Sequence, residues 1–338
     1  MKLYYEKDQK EDSLYNKKIA VFGFGNQGKA HALNLKDSGK NVRVALRKES
    51  KSWNLAKSQG LQVMGFEEAA KWANFIMILL PDQVQGAVYQ KAIRPFLEKG
   101  DTLCFAHGLN IHFKEIEAPS FVNVIMVAPK SPGKLVRSTF LEGQGVPCLG
   151  AVYQNYEGSW NQVLSYADAL GGLRAGLFQT TFKDETETDL FGEQSVLCGG
   201  VSELVKCGFE TLVESGYPKE LAYFECLHEL KLIVDLFYEG GLTKMNEAVS
   251  ETAEYGGYTR GNKVINKAET KENMKSVLRE IQSGHFTEEY FKDARNGQKE
   301  LFKRRDEEKS HLIEGVGFAL RSNMSWMKRK ENKNECRV

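Results

Sequence analysis

Lys18-Ile-Ala-Val-Phe-Gly23-Phe-Gly-Asn-Gln-Gly28-Lys-Ala-His-Ala-Leu-Asn34 decides how the chain is read. A β-branched, apolar run over Lys18–Phe22 predicts a buried strand. A glycine-rich turn follows, and Gln27–Asp37 has the composition of a helix. Gly23, Phe24, Gly25, Asn26, Gln27 and Gly28 thus form a G-x-G-x-x-G loop between a strand and a helix. Alone the motif is weak, but this is the context in which it cradles a dinucleotide. Gly23 permits the tight turn, Gly25 lets a pyrophosphate approach the backbone, and Gly28 lets helix and strand pack closely. The helix N-terminus supplies donors to the phosphates.

Working outward, the same grammar repeats through the first half. Further strands are predicted at Asn41–Arg47, Phe75–Leu80, Thr102–His107, Asn123–Pro129, Val146–Tyr153 and Leu173–Thr181, with helical stretches such as Ser52–Ser58, Glu67–Ala73 and Gln83–Leu97 among them. Alternation of this kind predicts right-handed βαβ units and a mainly parallel sheet covered on both faces. After Thr181 the β-rich runs stop. Helices are predicted at Glu185–Leu197, Val201–Ser215, Lys219–Glu239, Thr243–Tyr255, Lys271–Ser283 and Glu288–Glu308. The expectation is an α/β Rossmann-type domain over 1–181, an all-α domain over 182–328, and a polar, basic, frayed tail over 329–338.

Composition agrees with two globular domains and excludes other classes. The chain has 338 residues, more than one core usually organises, and is 41% hydrophobic and 27% charged. With 46 Lys plus Arg against 45 Asp plus Glu, the net charge of +1 argues against a nucleic-acid partner. The longest apolar run, Phe75–Leu80, is strand-sized, so no membrane partner is expected. The N-terminus resembles neither a signal nor a transit peptide, and a cytoplasmic location follows. The six cysteines lie apart, mostly in apolar stretches, and read as buried reduced thiols.

Charge at the end of the second strand selects the dinucleotide. An acid there would bind the ribose 2′-hydroxyl of NAD; this chain has Arg47, then Ser50 and Ser52, which suit the 2′-phosphate of NADP(H). In the second half, Asp189 and Glu193 are four apart, as are Glu225 and Glu229, so each pair shares a helix face. The stripe through Glu225 and Glu229 also holds Leu221, Leu232 and Leu236, which predicts an inward face. Buried carboxylates need protons, Arg or Lys, or a metal; four of them with no His/Cys cluster favour Mg²⁺ over Zn²⁺. His107 and Lys130 close two predicted strands, at the edge where such sheets bind ligands.

Taken together, these residues resemble the short class I form of the ketol-acid reductoisomerase family. The matching strings are the glycine loop itself, Ile78-Leu-Leu-Pro-Asp82, Phe105-Ala-His-Gly108, Val124–Lys130, Glu185–Gln194, Glu225–Lys231 and Thr252-Ala-Glu-Tyr-Gly256. The resemblance runs from about Tyr4 to Arg321. It implies that Asp189, Glu193, Glu225 and Glu229 bind two Mg²⁺ ions. Asp82, Gln83, Val84, Gln85 and Gly133 would line the NADP(H) site, Ser250 would bind substrate, and His107 would be an active-site residue, with Lys130 and Glu229 in catalytic roles. It also implies a knotted helical domain and a homodimer or higher homo-oligomer with shared active sites. The reaction would turn 2-acetolactate or 2-aceto-2-hydroxybutyrate into 2,3-dihydroxy acids, by alkyl migration and then reduction by NADPH, in the synthesis of valine, isoleucine and leucine. Asn26, Lys29 and Lys134 depart from the family's usual serine, histidine and histidine. Two alternatives share the first domain: a β-hydroxyacid dehydrogenase-like NADP oxidoreductase needing no divalent ion, and a silent NADP-binding regulator.

Overall fold

The computed structural model describes residues 1–324, and the expected tail at 329–338 lies outside them. The chain divides into two units, Met1–Thr188 and the residues from Asp189 onward.

In the first unit, nine strands form one sheet: β1 (Leu3–Tyr4), β2 (Ile19–Phe22), β3 (Val42–Ala45), β4 (Gln62–Met64), β5 (Phe75–Ile78), β6 (Thr102–Phe105), β7 (Asn123–Pro129), β8 (Cys148–Gln154) and β9 (Leu177–Gln179). Their order is β1-β9-β8-β7-β6-β5-β2-β3-β4. The six strands from β4 to β7 are parallel, β8 runs antiparallel to β7, and β1 antiparallel to β9. The central strands are buried on both faces, which is why they read as continuous apolar runs. Along β2, Ile19 and Val21 enter one core with Phe75, Met77, Ile125 and Tyr166. Ala20 and Phe22 enter the other with Ile76, Ile78, Phe105 and Met126.

The chain leaves β2 towards β3 on one side and later returns to β5 on the other, so the order reverses between β2 and β5. That switch point opens the crevice in which such sheets bind ligands. Gly23 sits there with φ of +106°, and a Cβ on it would lie 2.5 Å from the Leu79 carbonyl oxygen. Only glycine combines that dihedral with that approach.

β1 and β4, of two and three residues, are too short to carry a period and were not expected. The stretch read as one strand from Leu173 begins instead as a helical turn, Gly172–Ala175, before β9. The predicted helix after β5 is an α-helix over Asp82–Val88, followed by a π turn over Tyr89–Ile93 and a 3₁₀ turn.

The second unit is helical. Its principal helices are Gly199–Glu214, Lys219–Tyr223, Leu230–Ala248, Glu251–Val264, Lys267–Gln282, His285–Arg295, Lys299–Ser310 and Leu312–Asn323. The expected single helix at 288–308 is two, because Gly297 and Gln298 both take left-handed dihedrals. Leu230–Ala248 is kinked at Gly240 and Gly241, the latter at φ of +74°. A small core of Phe209, Ala222, Tyr223, Ile313 and Val316 holds part of the unit together.

Candidate active site

The glycine loop has the shape its sequence predicts. A Cβ on Gly28 would lie 2.4 Å from the Gly23 carbonyl oxygen, so turn and helix pack in contact, whereas Gly25 has open space around it. Phe24 is buried; Gly25 and Asn26 are exposed at the start of the helix Asn26–Asp37. A second helix, Gly133–Leu141, begins against the same loop: a Cβ on Gly133 would lie 2.1 Å from the Asn26 carbonyl oxygen. Beyond β3, Ser50 N–H donates to the Arg47 carbonyl, and Ser52 N–H to the Ser50 hydroxyl at 3.3 Å. Arg47 is exposed on this turn. A loop open at Gly25 at a helix N-terminus, with a guanidinium and two hydroxyls on the turn after the neighbouring strand, has the groups that suit a dinucleotide with a 2′-phosphate.

After β5, Asp82 starts its helix. Gln85 donates to the Leu80 carbonyl at 2.8 Å and to the Asp82 carboxylate at 3.0 Å, and Asn110 donates to the Asp82 carbonyl at 3.3 Å. Gln83 and Val84 follow on the same turn, Val84 exposed. Burial raises the Asp82 carboxyl above its ordinary range; His107 opposes the rise and Glu185 adds to it.

His107 and Lys130, 23 positions apart in sequence and each just past a strand end, meet on one carboxylate. Glu185 accepts from the Lys130 ammonium at 3.0 Å and from the Gly108 backbone N–H at 2.9 Å, and pairs with His107 Nδ1 at 3.1 Å. Its side chain is 1% exposed. Burial would push the Glu185 carboxyl up, but the hydrogen bond and charge of His107 and the Lys130 ammonium outweigh it and hold the group below the usual glutamate range. The Glu185 helix, Phe182–Gly192, can come this close because Gly108 has no side chain: a Cβ there would lie 2.3 Å from the Thr186 hydroxyl. Glu185 stands within the acidic string read from the sequence, yet nothing local marks it as the partner of a histidine 78 residues earlier.

In the helical unit, both carboxylate pairs meet π turns, Glu193–Leu197 and Phe224–His228. Such turns are rare and frequently functional. The expectation that the pairs face inward is corrected for a single chain. Glu193, Glu225 and Glu229 are exposed, and Leu221 and Leu232 on the same stripe are 54% and 56% exposed. Periodicity reports an apolar stripe without saying what covers it. Glu225 and Glu229 take no salt bridge among the described residues, and neither joins a group of three His, Cys, Asp or Glu ligand atoms within 4.8 Å. Ser250 caps the helix Glu251–Val264, its Oγ accepting from Ala253 N–H at 3.2 Å, which leaves the hydroxyl proton to donate elsewhere. A cavity of about 620 Å³ follows, lined by Glu251, Thr252, Glu254, Tyr255 and Tyr258.

The thiols divide. Cys104 and Cys148 are buried, with burial pushing both thiols up, Cys148 to about 12. Cys198 and Cys207 are exposed, contrary to the reading of buried cysteines, and Cys226 is half-buried. No helix of the described residues is long and apolar enough to cross a membrane.

A switch-point glycine loop, a basic turn after β3 and a helical second unit define a Rossmann-type dinucleotide-dependent oxidoreductase. The family described as acetohydroxy acid isomeroreductase, NADPH-binding domain, matches residues 13–176, and the ketol-acid reductoisomerase C-terminal domain matches residues 182–326. The chain therefore belongs to the ketol-acid reductoisomerase family, enzymes of branched-chain amino acid biosynthesis. It is 58% identical, over the whole of both chains, to a ketol-acid reductoisomerase (NADP(+)) of Chloroherpeton thalassium. A solved NADH-preferring ketol-acid reductoisomerase from an uncultured archean is 45% identical, with a TM-score of 0.92 over 96% of this chain and all of the other. A semialdehyde dehydrogenase NAD-binding protein from Cupriavidus necator, 18% identical with a TM-score of 0.56 over 78% of this chain and 99% of its own, shares the fold alone.

Proposed function

We propose that the chain converts 2-acetolactate and 2-aceto-2-hydroxybutyrate to 2,3-dihydroxy acids with NADPH, through the residues assembled above. The observation that carries this reading is the buried Glu185 carboxylate, which draws His107 and Lys130 together beside the dinucleotide crevice. A dehydrogenase or a silent regulator has no need of that charge cluster together with two further carboxylate pairs.

The glycine loop, Asp82–Gln85 and Gly133 would hold the dinucleotide, with Arg47, Ser50 and Ser52 on its 2′-phosphate. Glu225 and Glu229, four positions apart and without a salt bridge among the described residues, fit divalent cations, and with Asp189 and Glu193 they would hold two Mg²⁺. When bound, the ions polarise the substrate ketone and acidify its hydroxyl, and the nicotinamide supplies hydride. The protein's own groups do the rest. Glu229 would take the hydroxyl proton on a carboxylate oxygen. Lys130, held by Glu185, would attract the substrate anion, and the Ser250 hydroxyl would donate to it. Glu185 would orient the His107 ring through Nδ1.

The carboxylate set is proposed to be completed between two copies of the chain: Asp189 and Glu193 from one, Glu225, Glu229 and Ser250 from its partner. Uncovered apolar side chains on the helical unit support a second copy, among them Leu221, Leu232, Tyr238 at 93% exposure and Leu242 at 70%. Exposed apolar side chains that form one patch mark an interaction surface. Five described cysteines are unpaired, in keeping with a cytoplasmic enzyme.

Glu229→Gln tests the scheme. Folding should survive while Mg²⁺-dependent isomerisation of 2-acetolactate collapses, and reduction of a ready-made 3-hydroxy-2-keto acid should suffer less. Isomerisation at the wild-type rate would refute the assignment.

A further inference from the structure

Gln27 is bound at one end only. Its side-chain Nε2 donates to the Ser131 carbonyl at 2.8 Å, across 104 residues of sequence. Because a carbonyl must receive a donor, that contact fixes which end of the amide is which. The acceptor Oε1 is therefore the free end, and it is buried without a partner. A buried acceptor left unmade is costly, and each such group in a native fold calls for an explanation.

The two places that Gln27 joins are the ones that must cooperate. Its backbone belongs to the glycine loop, where the first turn of the helix Asn26–Asp37 faces the phosphates. Ser131 directly follows Lys130, whose ammonium lies on Glu185. The segment is braced on its other side, where Lys130 N–H donates to the Pro147 carbonyl at 2.9 Å. At its far end Gly133 packs on the loop itself, a Cβ there falling 2.8 Å from Gln27 N. The 130–133 segment has therefore three fixed points, and the Gln27 amide is the side-chain one.

We propose that Gln27 is a positioning residue: its amide straps the segment carrying Lys130 to the phosphate loop, and the sealed, unpartnered Oε1 is what that strap costs. Through Ser131 the strap steadies Lys130 on Glu185. The proposal rests on the reading of Lys130 as an active-site group and extends it to a residue that touches no substrate.

The experiment uses the full-length, Mg²⁺-loaded enzyme and 2-acetolactate. Gln27→Met keeps length and removes both donor and acceptor. Gln27→Lys keeps a donor for the Ser131 carbonyl and removes the acceptor. Lys130→Met is measured alongside, with melting temperature as a control on folding. At saturating NADPH, Gln27→Met should lose roughly ten- to hundred-fold in kcat, the scale of a misplaced catalytic group. Its NADPH dissociation constant, read by fluorescence titration without turnover, should change less than kcat. Gln27→Lys should recover most of the lost kcat.

Wild-type kcat in Gln27→Met with only a raised KM for NADPH overturns the strap and leaves Gln27 a plain cofactor contact. Equal kcat losses in both variants overturn it too, since the donor to Ser131 would then be irrelevant. A fully active Lys130→Met overturns the site reading and the strap with it, whereas an inactive one beside an unaffected Gln27→Met overturns the strap alone.

Discussion

Replacing Glu185 with glutamine removes the buried charge on which His107 and Lys130 meet and alters the shape of the side chain little. The glutamine oxygen can still accept from Gly108 N–H, but its amide nitrogen then presents a donor to the Lys130 ammonium. One charged hydrogen bond to Lys130 is lost and the contact with His107 weakens. Severing a buried pair costs ~3–5 kcal/mol, and charged hydrogen bonds ~1.5–3 kcal/mol each. Lys130 is 33% exposed and partly screened, so the lower part of that range applies. We expect about 2–4 kcal/mol, measured as the denaturant-unfolding free energy of the intact chain at pH 7. The loss should also depend on pH in a definite direction. The folded Glu185 carboxyl lies below its unfolded value of 4.5, so its contribution is fully present above that pH. It disappears as pH falls through the lower, folded value. The gap between wild type and Glu185→Gln should therefore be flat at neutral pH and close below pH 4.5. A gap that stays constant through acid pH, or a variant as stable as wild type at pH 7, would refute the claim that the buried charge is held by its neighbours.

Gly25→Ala and Gly133→Ala should separate function from folding. The first has open space for its methyl and should keep the wild-type melting temperature while NADPH affinity falls at least ten-fold; the second meets the Asn26 carbonyl and should lose both affinity and ~2 kcal/mol or more of stability, read by titration and melting. Ser50→Asp with Ser52→Asp should cut NADPH efficiency roughly ten- to hundred-fold while sparing NADH, by loss of charge-assisted phosphate contacts; unchanged NADPH kinetics would remove the 2′-phosphate from this turn. Asp189→Asn chains mixed with Glu225→Gln chains, each inactive alone, should regain activity, since a mixed dimer holds one intact carboxylate set. No recovery in verified mixed dimers would return all four ligands to a single chain.

The first unit was legible because its central strands are buried on both faces, so β2, β5, β6 and β7 announce themselves as apolar runs without reference to partners. The reversal of β8 and the short strands β1 and β4 were not legible, since neither alters composition. The packing of the glycine loop was readable: close approaches at Gly23 and Gly28 leave no room for a Cβ. Glu185 was not, because its role is a long-range contact inside a string of acids of similar spacing. The exposure of Glu225, Glu229, Leu221 and Leu232 shows the opposite limit. Helical period locates a stripe, and whether the stripe meets its own chain or another is decided by surfaces that sequence does not display. The π turns at both carboxylate pairs were equally hidden, being shifts in hydrogen bonding within stretches that read as continuous helix.

Isomerisation and reduction of an acetohydroxy acid by this chain can be read in one assay, NADPH consumption with 2-acetolactate, run with Mg²⁺ and again after chelation. NADPH should be oxidised only when both substrate and Mg²⁺ are present, with a 2,3-dihydroxy acid as the product identified by mass spectrometry. Turnover that persists after the divalent ion is removed, or no turnover by folded, Mg²⁺-loaded, NADPH-bound protein, would contradict it.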